Sequence, residues 1–252
     1  MSLIIKRNYK LLVLTFTLIL LSCKKAENRS CFKSNGNQIS KEIKVNSFYK
    51  IKLYEHLEFV LIQDSLDKVV LNGGENLLNE IEVVLEKNTL SIRNKNKCNF
   101  LRSYSNKIQV EIHFTNIEVI DFYGSEVLKN IDTLKFNNLN LTMSDCSGSV
   151  DLVLNSNFMI ANIANGYGDF KLQGNANYSN IKVKGNGFCD TYGFLVQDSI
   201  IIVSNTVSDI KINADQLDLK VETNNKGNVY YRGTPFIKVF NKYGDGDFMY
   251  KN

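Results

Sequence analysis

Proline is almost missing from this chain, occurring once in 252 residues at Pro235, and histidine occurs only twice, at His56 and His113. A single proline excludes a proline-rich extended segment and leaves strands free to pair along their length. The two histidines stand 57 residues apart on strand-like segments, with no histidine or glutamate partner at metal-ligand spacing. Each is read as a rim or surface residue. The sequence also lacks a Gly-x-Ser-x-Gly elbow and a phosphate-cradling glycine loop. The expectation is therefore no catalytic residue, no metal ligand and no cofactor.

What the chain does have is a repeat. From residue 139 onward, like residues return every 19 to 21 positions, anchored at Gly148, Gly168, Gly187, Ser208, Gly227 and Gly246. A repeat that even signals a solenoid of stacked rungs. Two residues after each anchor stand Val150, Phe170, Cys189, Ile210, Val229 and Phe248, an apolar column throughout. Four residues after it come Leu152, Leu172, Thr191, Ile212, Tyr231 and Tyr250, broken only by Thr191. Spacing by two places both columns on one face of a strand, which is the core face. On the opposite face Asp151, Lys171, Asp190 and Lys211 alternate in sign from rung to rung. Parallel rungs about 4.8 Å apart would make each carboxylate the neighbour of an ammonium group. Such exposed pairs add only a few tenths of a kcal/mol and serve mainly as evidence of register.

Corner chemistry agrees with this reading. Asp145, Asn165, Asn205 and Asn224 precede anchors by three residues, and Gly174, Gly193 and Gly233 follow them by six. Asn, Asp and Gly tolerate the left-handed backbone that a tight corner needs. The fold class expected is all-β, a parallel β-helix or solenoid with rungs of about twenty residues and a less regular N-terminal β part. In that part, residues 43–45, 49–54, 57–63, 68–71, 81–85, 89–93, 108–114 and 117–122 read as strands, and residues 75–80 as one helical turn. They are expected to supply the first rungs and a cap over the open end of the stack.

The first 40 residues carry an address. Lys6, Arg7 and Lys10 precede an apolar run at residues 11–21, too short to cross a bilayer comfortably as a helix, and Leu20-Leu21-Ser22-Cys23 closes it. That tetrapeptide resembles the lipobox of bacterial lipoproteins, cut before an acylated cysteine. The domain reading is a signal peptide at 1–22, a lipidated polar tether at 23–40 and a solenoid at 41–252. Losing Lys6, Arg7 and Lys10 with the signal lowers the formal charge from +4 to +1, which leaves no nucleic-acid footprint. Lys24 and Lys25 stand where some related lipoproteins carry an acidic export signal, which favours the periplasmic face. The membrane partner is reached through Cys23. Of the other cysteines, Cys146 and Cys189 lie two rungs apart, beyond bridging distance, and Cys189 is in the core column. Cys31 and Cys98 are the candidate disulfide of an exported chain.

Residues 42–236 resemble a known family. The segments that carry the likeness are Phe48-Tyr49-Lys50-Ile51-Lys52-Leu53, Asn72-Gly73-Gly74-Glu75-Asn76-Leu77-Leu78, Asn88-Thr89-Leu90-Ser91-Ile92-Arg93, Phe122-Tyr123-Gly124-Ser125 and Val229-Tyr230-Tyr231-Arg232-Gly233-Thr234-Pro235. Their order is similar to that of the putative auto-transporter adhesins with a head GIN domain. The resemblance implies a β-helix-like fold in exported, often lipid-anchored proteins of Gram-negative bacteria, here the outer membrane, and it assigns no catalytic residue. The family's Ser-Gly-Ala-Ser corner has become Cys146-Ser147-Gly148-Ser149, Tyr167-Gly168-Asp169 and Val207-Ser208-Asp209.

Three functions remain in view. A lipid-anchored envelope module, binding a glycan or a protein as an adhesin, accords with the lipobox and the rungs. Tyr123, Tyr167, Phe188, Tyr192 and Tyr243 lie near corners, where they would either stack on sugars or cover the stack. A polysaccharide lyase or hydrolase is the alternative, because parallel β-helices host such enzymes; it needs acids or bases clustered on one outward face. An envelope maintenance factor with no external ligand is the third. Gly166–Asp169 and Gly244–Asp247 resemble calcium-binding nonapeptides, but those recur every nine residues and these belong to a rung of about twenty.

Overall fold

Apolar residues at alternate positions commit most of this chain to extended backbone, because a strand sends successive side chains to opposite faces. A computed structural model describes residues 34–96 and 107–251. The signal segment, Cys23, Cys31 and Cys98 lie outside the described residues. Within them the strands stack into a β-solenoid of about seven turns.

Each turn has two long sides. On the first side the order is β1 (Gln38–Lys44), β4 (Lys68–Gly74), β7 (Gln109–Phe114), β3 (Glu58–Gln63) and β9 (Val127–Asn130), continued by the early parts of β11 (Ser149–Ile163), β12 (Asp169–Gly185) and β13 (Cys189–Thr206), then β14 (Ile210–Asn213), β16 (Val229–Arg232) and β18 (Phe248–Tyr250). The second side runs β5 (Ile81–Glu86), β6 (Thr89–Asn94), β2 (Lys50–Leu53), β8 (Val119–Phe122) and β10 (Leu134–Met143), then the later parts of β11, β12 and β13, and finally β15 (Asp218–Thr223) and β17 (Ile237–Lys242). Because β11, β12 and β13 bend through a corner without breaking, the two sides share one continuous hydrogen-bonded sheet.

The register is that expected from the anchors. Val150 faces Phe170, Phe170 faces Cys189, Cys189 faces Ile210, Ile210 faces Val229 and Val229 faces Phe248. The first five are at most 1% exposed, and Phe248 is half-buried on the last turn. This file extends toward the N-terminus through Leu128, Phe59 and Val110. A second file on the other side passes through Ile120, Leu141, Ala161, Ile181, Ile202 and Val221, all fully buried. Thr191, the exception in the apolar columns, is buried but satisfied, since its hydroxyl donates to the Lys211 carbonyl at 2.9 Å. Outside, like residues stack too: the Asn175 amide donates to Asn155 at 3.0 Å and Asn177 to Asn157 at 2.8 Å.

The N-terminal turns are not stacked in chain order. The turn made by β6 and β7 lies outside the turn made by β2 and β3, and the chain then returns to the inner side with β8 and β9. Antiparallel β1, β4 and β5, with the short helix α1 (Glu75–Leu78) tucking Leu77 and Leu78 inward, cover this end. Antiparallel strands end the stack because they cannot propagate a parallel rung. β1 begins at Gln38, inside the 23–40 stretch assigned to the tether, so ordered pairing starts earlier than that boundary. Its residues are nearly all exposed, which is why their polar character reads as linker; backbone bonds to β4 hold them.

A candidate ligand-binding corner

In-register parallel pairing has a consequence at the corners: the residues that leave equivalent strand ends must stack. Leu53 of β2 pairs with Ile92 of β6 on one side and Phe122 of β8 on the other. The next residues are Tyr54, Arg93 and Tyr123. Tyr54 and Tyr123 stack with ring centroids 5.0 Å apart and planes 14° apart, and the Arg93 guanidinium lies 3.9 Å from the Tyr54 centroid. Three consecutive layers thus form one column, worth about 1–2 kcal/mol beyond simple burial. In the following layer Met143 pairs with Phe122 and is succeeded by Ser144, so the aromatic column ends there.

An open cavity of about 380 Å³ lies at that end, lined by Tyr54, Glu55, Tyr123, Gly124, Ser125, Asp145 and Ser147. Its chemistry is mixed. Tyr54 and Tyr123 offer an aromatic edge and wall, Glu55 and Asp145 offer acceptors, and Ser125 and Ser147 offer hydroxyls. Burial, reinforced by the Asp121 carboxylate, raises the Tyr123 phenol above its ordinary value, so it remains a neutral donor. Asp121 is itself held by Lys50 at 2.6 Å. Two non-glycine residues with left-handed backbone flank the site, His56 at φ 63° and Asp145 at φ 49°. Asp145 is held there by Asn165, whose side chain accepts from the Asp145 N–H at 2.9 Å and donates to its carboxylate at 2.7 Å.

Ser125 and His56 approach each other here without forming a catalytic pair of the usual kind. The Ser125 hydroxyl oxygen accepts the His56 backbone N–H at 3.0 Å and stands 3.3 Å from Nδ1, which locks the His56 turn. Among the described residues no carboxylate is recorded against the other ring nitrogen to orient it as a base. His113 sits on the first side, with Nδ1 at 2.9 Å from Asp64 and Nε2 at 3.7 Å from Glu111. The Ser65 backbone N–H, and then His113, hold the Asp64 carboxyl below its usual range. Among the described residues no three His, Cys, Asp or Glu side chains converge in a metal-binding group. Asp169 and Asp247, in the calcium-like corners, are committed to the Phe188 N–H and to Lys242 respectively.

The five corner aromatics singled out from sequence do not gather in one place. Tyr123 lines the cavity, Phe188 and Tyr192 lie on the outer face of the first side, and Tyr167 and Tyr243 stand 70% exposed. Sequence reasoning missed Tyr54 and Arg93; the signal was the shared motif of alternating apolar residues before each, visible only once β2, β6 and β8 are known to be neighbours. Cys146 and Cys189 are free and buried, and burial pushes the Cys146 thiol up to about 11.

The family described as putative auto-transporter adhesin, head GIN domain, matches residues 47–235. A crystal structure of a putative adhesin from Bacteroides fragilis is 25% identical, with a TM-score of 0.76 over 85% of this chain and 97% of that one. A putative adhesin from Parabacteroides merdae is 18% identical, with a TM-score of 0.61 over 87% of this chain and 98% of that one. A putative lipid binding protein from Parabacteroides distasonis is 18% identical, with a TM-score of 0.62 over the same shares of the two chains. No curated protein matches the chain.

Proposed function

The chain belongs to the putative auto-transporter adhesin family of the head GIN domain, and from that premise we propose that it is a lipid-anchored, non-catalytic binding module of the cell envelope whose corner cavity holds a neutral or amino sugar of a glycan. The observation that carries this reading is the Arg93, Tyr54 and Tyr123 column ending on a cavity edged by Glu55 and Asp145. An aromatic ring suits the C–H face of a pyranose, and carboxylates suit its hydroxyls. The nearby acids disfavour an acidic sugar.

Retention of neutral or amino-sugar glycans on an array, lost at least about tenfold (roughly 1.4 kcal/mol) in Tyr123→Ala, is the expected result. Failure to retain any glycan, or the appearance of new reducing or unsaturated ends, overturns it; the second outcome would favour a polysaccharide-active enzyme.

The anchor is the Cys23 lipid, and Lys24 and Lys25 beside it favour the periplasmic face of the outer membrane. One acyl chain binds only marginally, whereas several on one residue hold durably. Cys23→Ala is expected to move the protein from the membrane pellet to the soluble fraction and to end incorporation of labelled palmitate. Unchanged labelling would refute the anchor.

A further inference from the structure

The outer face of the first side changes character along the stack. In the early turns its central column is ionic, with Lys129, Asp151, Lys171 and Asp190 following one another in register. From β13 onward rings and cations take over. Lys211 pairs in register with Tyr230, and Asn213 with Arg232. The Lys211 ammonium lies 5.1 Å from the Phe188 centroid and 5.9 Å from that of Tyr192, the Arg232 guanidinium lies 4.1 Å from Tyr192, and the Lys251 ammonium lies 5.0 Å from Tyr230. Four cation–aromatic contacts thus fall on one face of four successive turns. Two of the acids close by are matched by a lysine: Asp190 bridges Lys211 at 3.5 Å and Asp247 pairs with Lys242. Asp209 accepts the Asn228 N–H at 3.1 Å and keeps its charge. Arg232 and Lys251 are exposed, and among the described residues neither is ion-paired with a carboxylate.

We infer that this face, formed by Phe188, Tyr192, Lys211, Tyr230, Arg232 and Lys251, is a second binding surface, and that its ligand is an acidic polysaccharide bearing uronate groups, laid along the solenoid axis. Charge complementarity selects the class: Asp190 and Asp247 are each matched by a lysine while Arg232 and Lys251 are cations without an acid among the described residues, so an anionic polymer meets net positive charge along this face. Rings holding the cations in place restrict their rotamers before binding and lower the ordering cost. The turns advance by about 4.8 Å, close to the step of one pyranose along a linear chain, so successive sugars meet equivalent rungs. A planar guanidinium offers two parallel donors to a uronate carboxylate. A nucleic acid fits less well, because the mature chain carries little net charge and these few cations form no basic groove. The inference rests on the reading of the protein as an envelope binding module, but it concerns a surface other than the corner cavity and a ligand of opposite electrostatic preference.

Affinity electrophoresis of the full lipidated chain in detergent tests it, with polygalacturonate, neutral dextran or a single-stranded oligonucleotide cast in the gel. Polygalacturonate is expected to retard the wild-type protein and dextran to leave it free, with retardation falling as salt rises. The double variant Arg232→Gln, Lys251→Gln should weaken polygalacturonate binding by at least about tenfold (roughly 1.4 kcal/mol), and Arg232→Lys should fall between it and the wild type. Both substitutions are on the outer face, and an unchanged melting temperature checks that the fold persists. Tyr123→Ala should bind polygalacturonate normally, so loss of the corner site and loss of this one are separable. No retardation at low salt, equal retardation of the double variant, retardation by dextran to the same extent, or tighter binding to the oligonucleotide would each overturn the inference.

Discussion

Gly174→Ala is expected to destabilise the protein by about 4 kcal/mol or more, a large share of an ordinary domain's stability, while Gly193→Ala is expected to change stability by less than about 1 kcal/mol. Both glycines follow an anchor by six residues and read alike in sequence. Gly174 has φ +105°, and a Cβ built there would stand 2.0 Å from the Leu154 carbonyl oxygen, the partner strand's backbone. A side chain in that conformation costs about 1–3 kcal/mol in strain alone. The collision adds more, because the carbonyl belongs to a rung fixed between two neighbours and cannot retreat without breaking ladder bonds. Gly193 has an ordinary φ, and the nearest atom to its Cβ would be the Gln173 Cγ at 3.1 Å, part of a flexible side chain. Alanine there also loses less backbone entropy on folding than glycine. Urea denaturation followed by circular dichroism separates the two, and an unshifted midpoint for Gly174→Ala would show that the rung yields more easily than parallel stacking allows.

The apolar files were legible because in-register parallel stacking turns a sequence period into a spatial column: residues about twenty apart must share an environment, so Val150, Phe170, Cys189, Ile210 and Val229 declare one another. Corners were legible less evenly. Gly174 and Gly233 do take positive φ, but Gly193 does not, and in the turn between Gly193 and Gly233 the left-handed residue is Gln216. The acid and lysine column keeps its register throughout, yet only Asp190 and Lys211 close to an ion pair of 3.5 Å among the described residues. Long exposed side chains gain too little from pairing to be held together. The N-terminal turns hid for a different reason. Since the β6 and β7 turn is laid outside the β2 and β3 turn, equivalent residues there have no constant spacing, and Tyr54, Arg93 and Tyr123 come together from intervals of 39 and 30 residues. The final turn departs from the files as well. Lys238 occupies the place beneath Leu219 where the pattern calls for an apolar residue, and its ammonium group donates to the Tyr231 hydroxyl at 3.1 Å. An inward-facing lysine on an edge strand discourages another chain from continuing the sheet.

Which of the two columns holds the register can be measured directly. Phe170→Ala should cost about 3–5 kcal/mol, the range for removing a large buried aromatic side chain. Asp190→Asn should cost no more than about 1 kcal/mol, because it breaks only a partly exposed ion pair. Phe170 is 1% exposed between Val150 and Cys189. The small Cys189 side chain cannot expand into the space, and the backbone ladder on both sides resists collapse, so most of the cavity should persist. In Asp190→Asn the side-chain carbonyl keeps the bond that Oδ1 accepts from the Tyr192 N–H at 3.1 Å, so only the contact to Lys211 is lost. Amide exchange gives the finer test. Because each rung touches only its neighbours, opening in Phe170→Ala should be strongest in β11, β12 and β13 and fade toward the N-terminal cap. Equal losses for the two variants would mean that charge alternation, and not the buried file, sets how one turn sits upon the next.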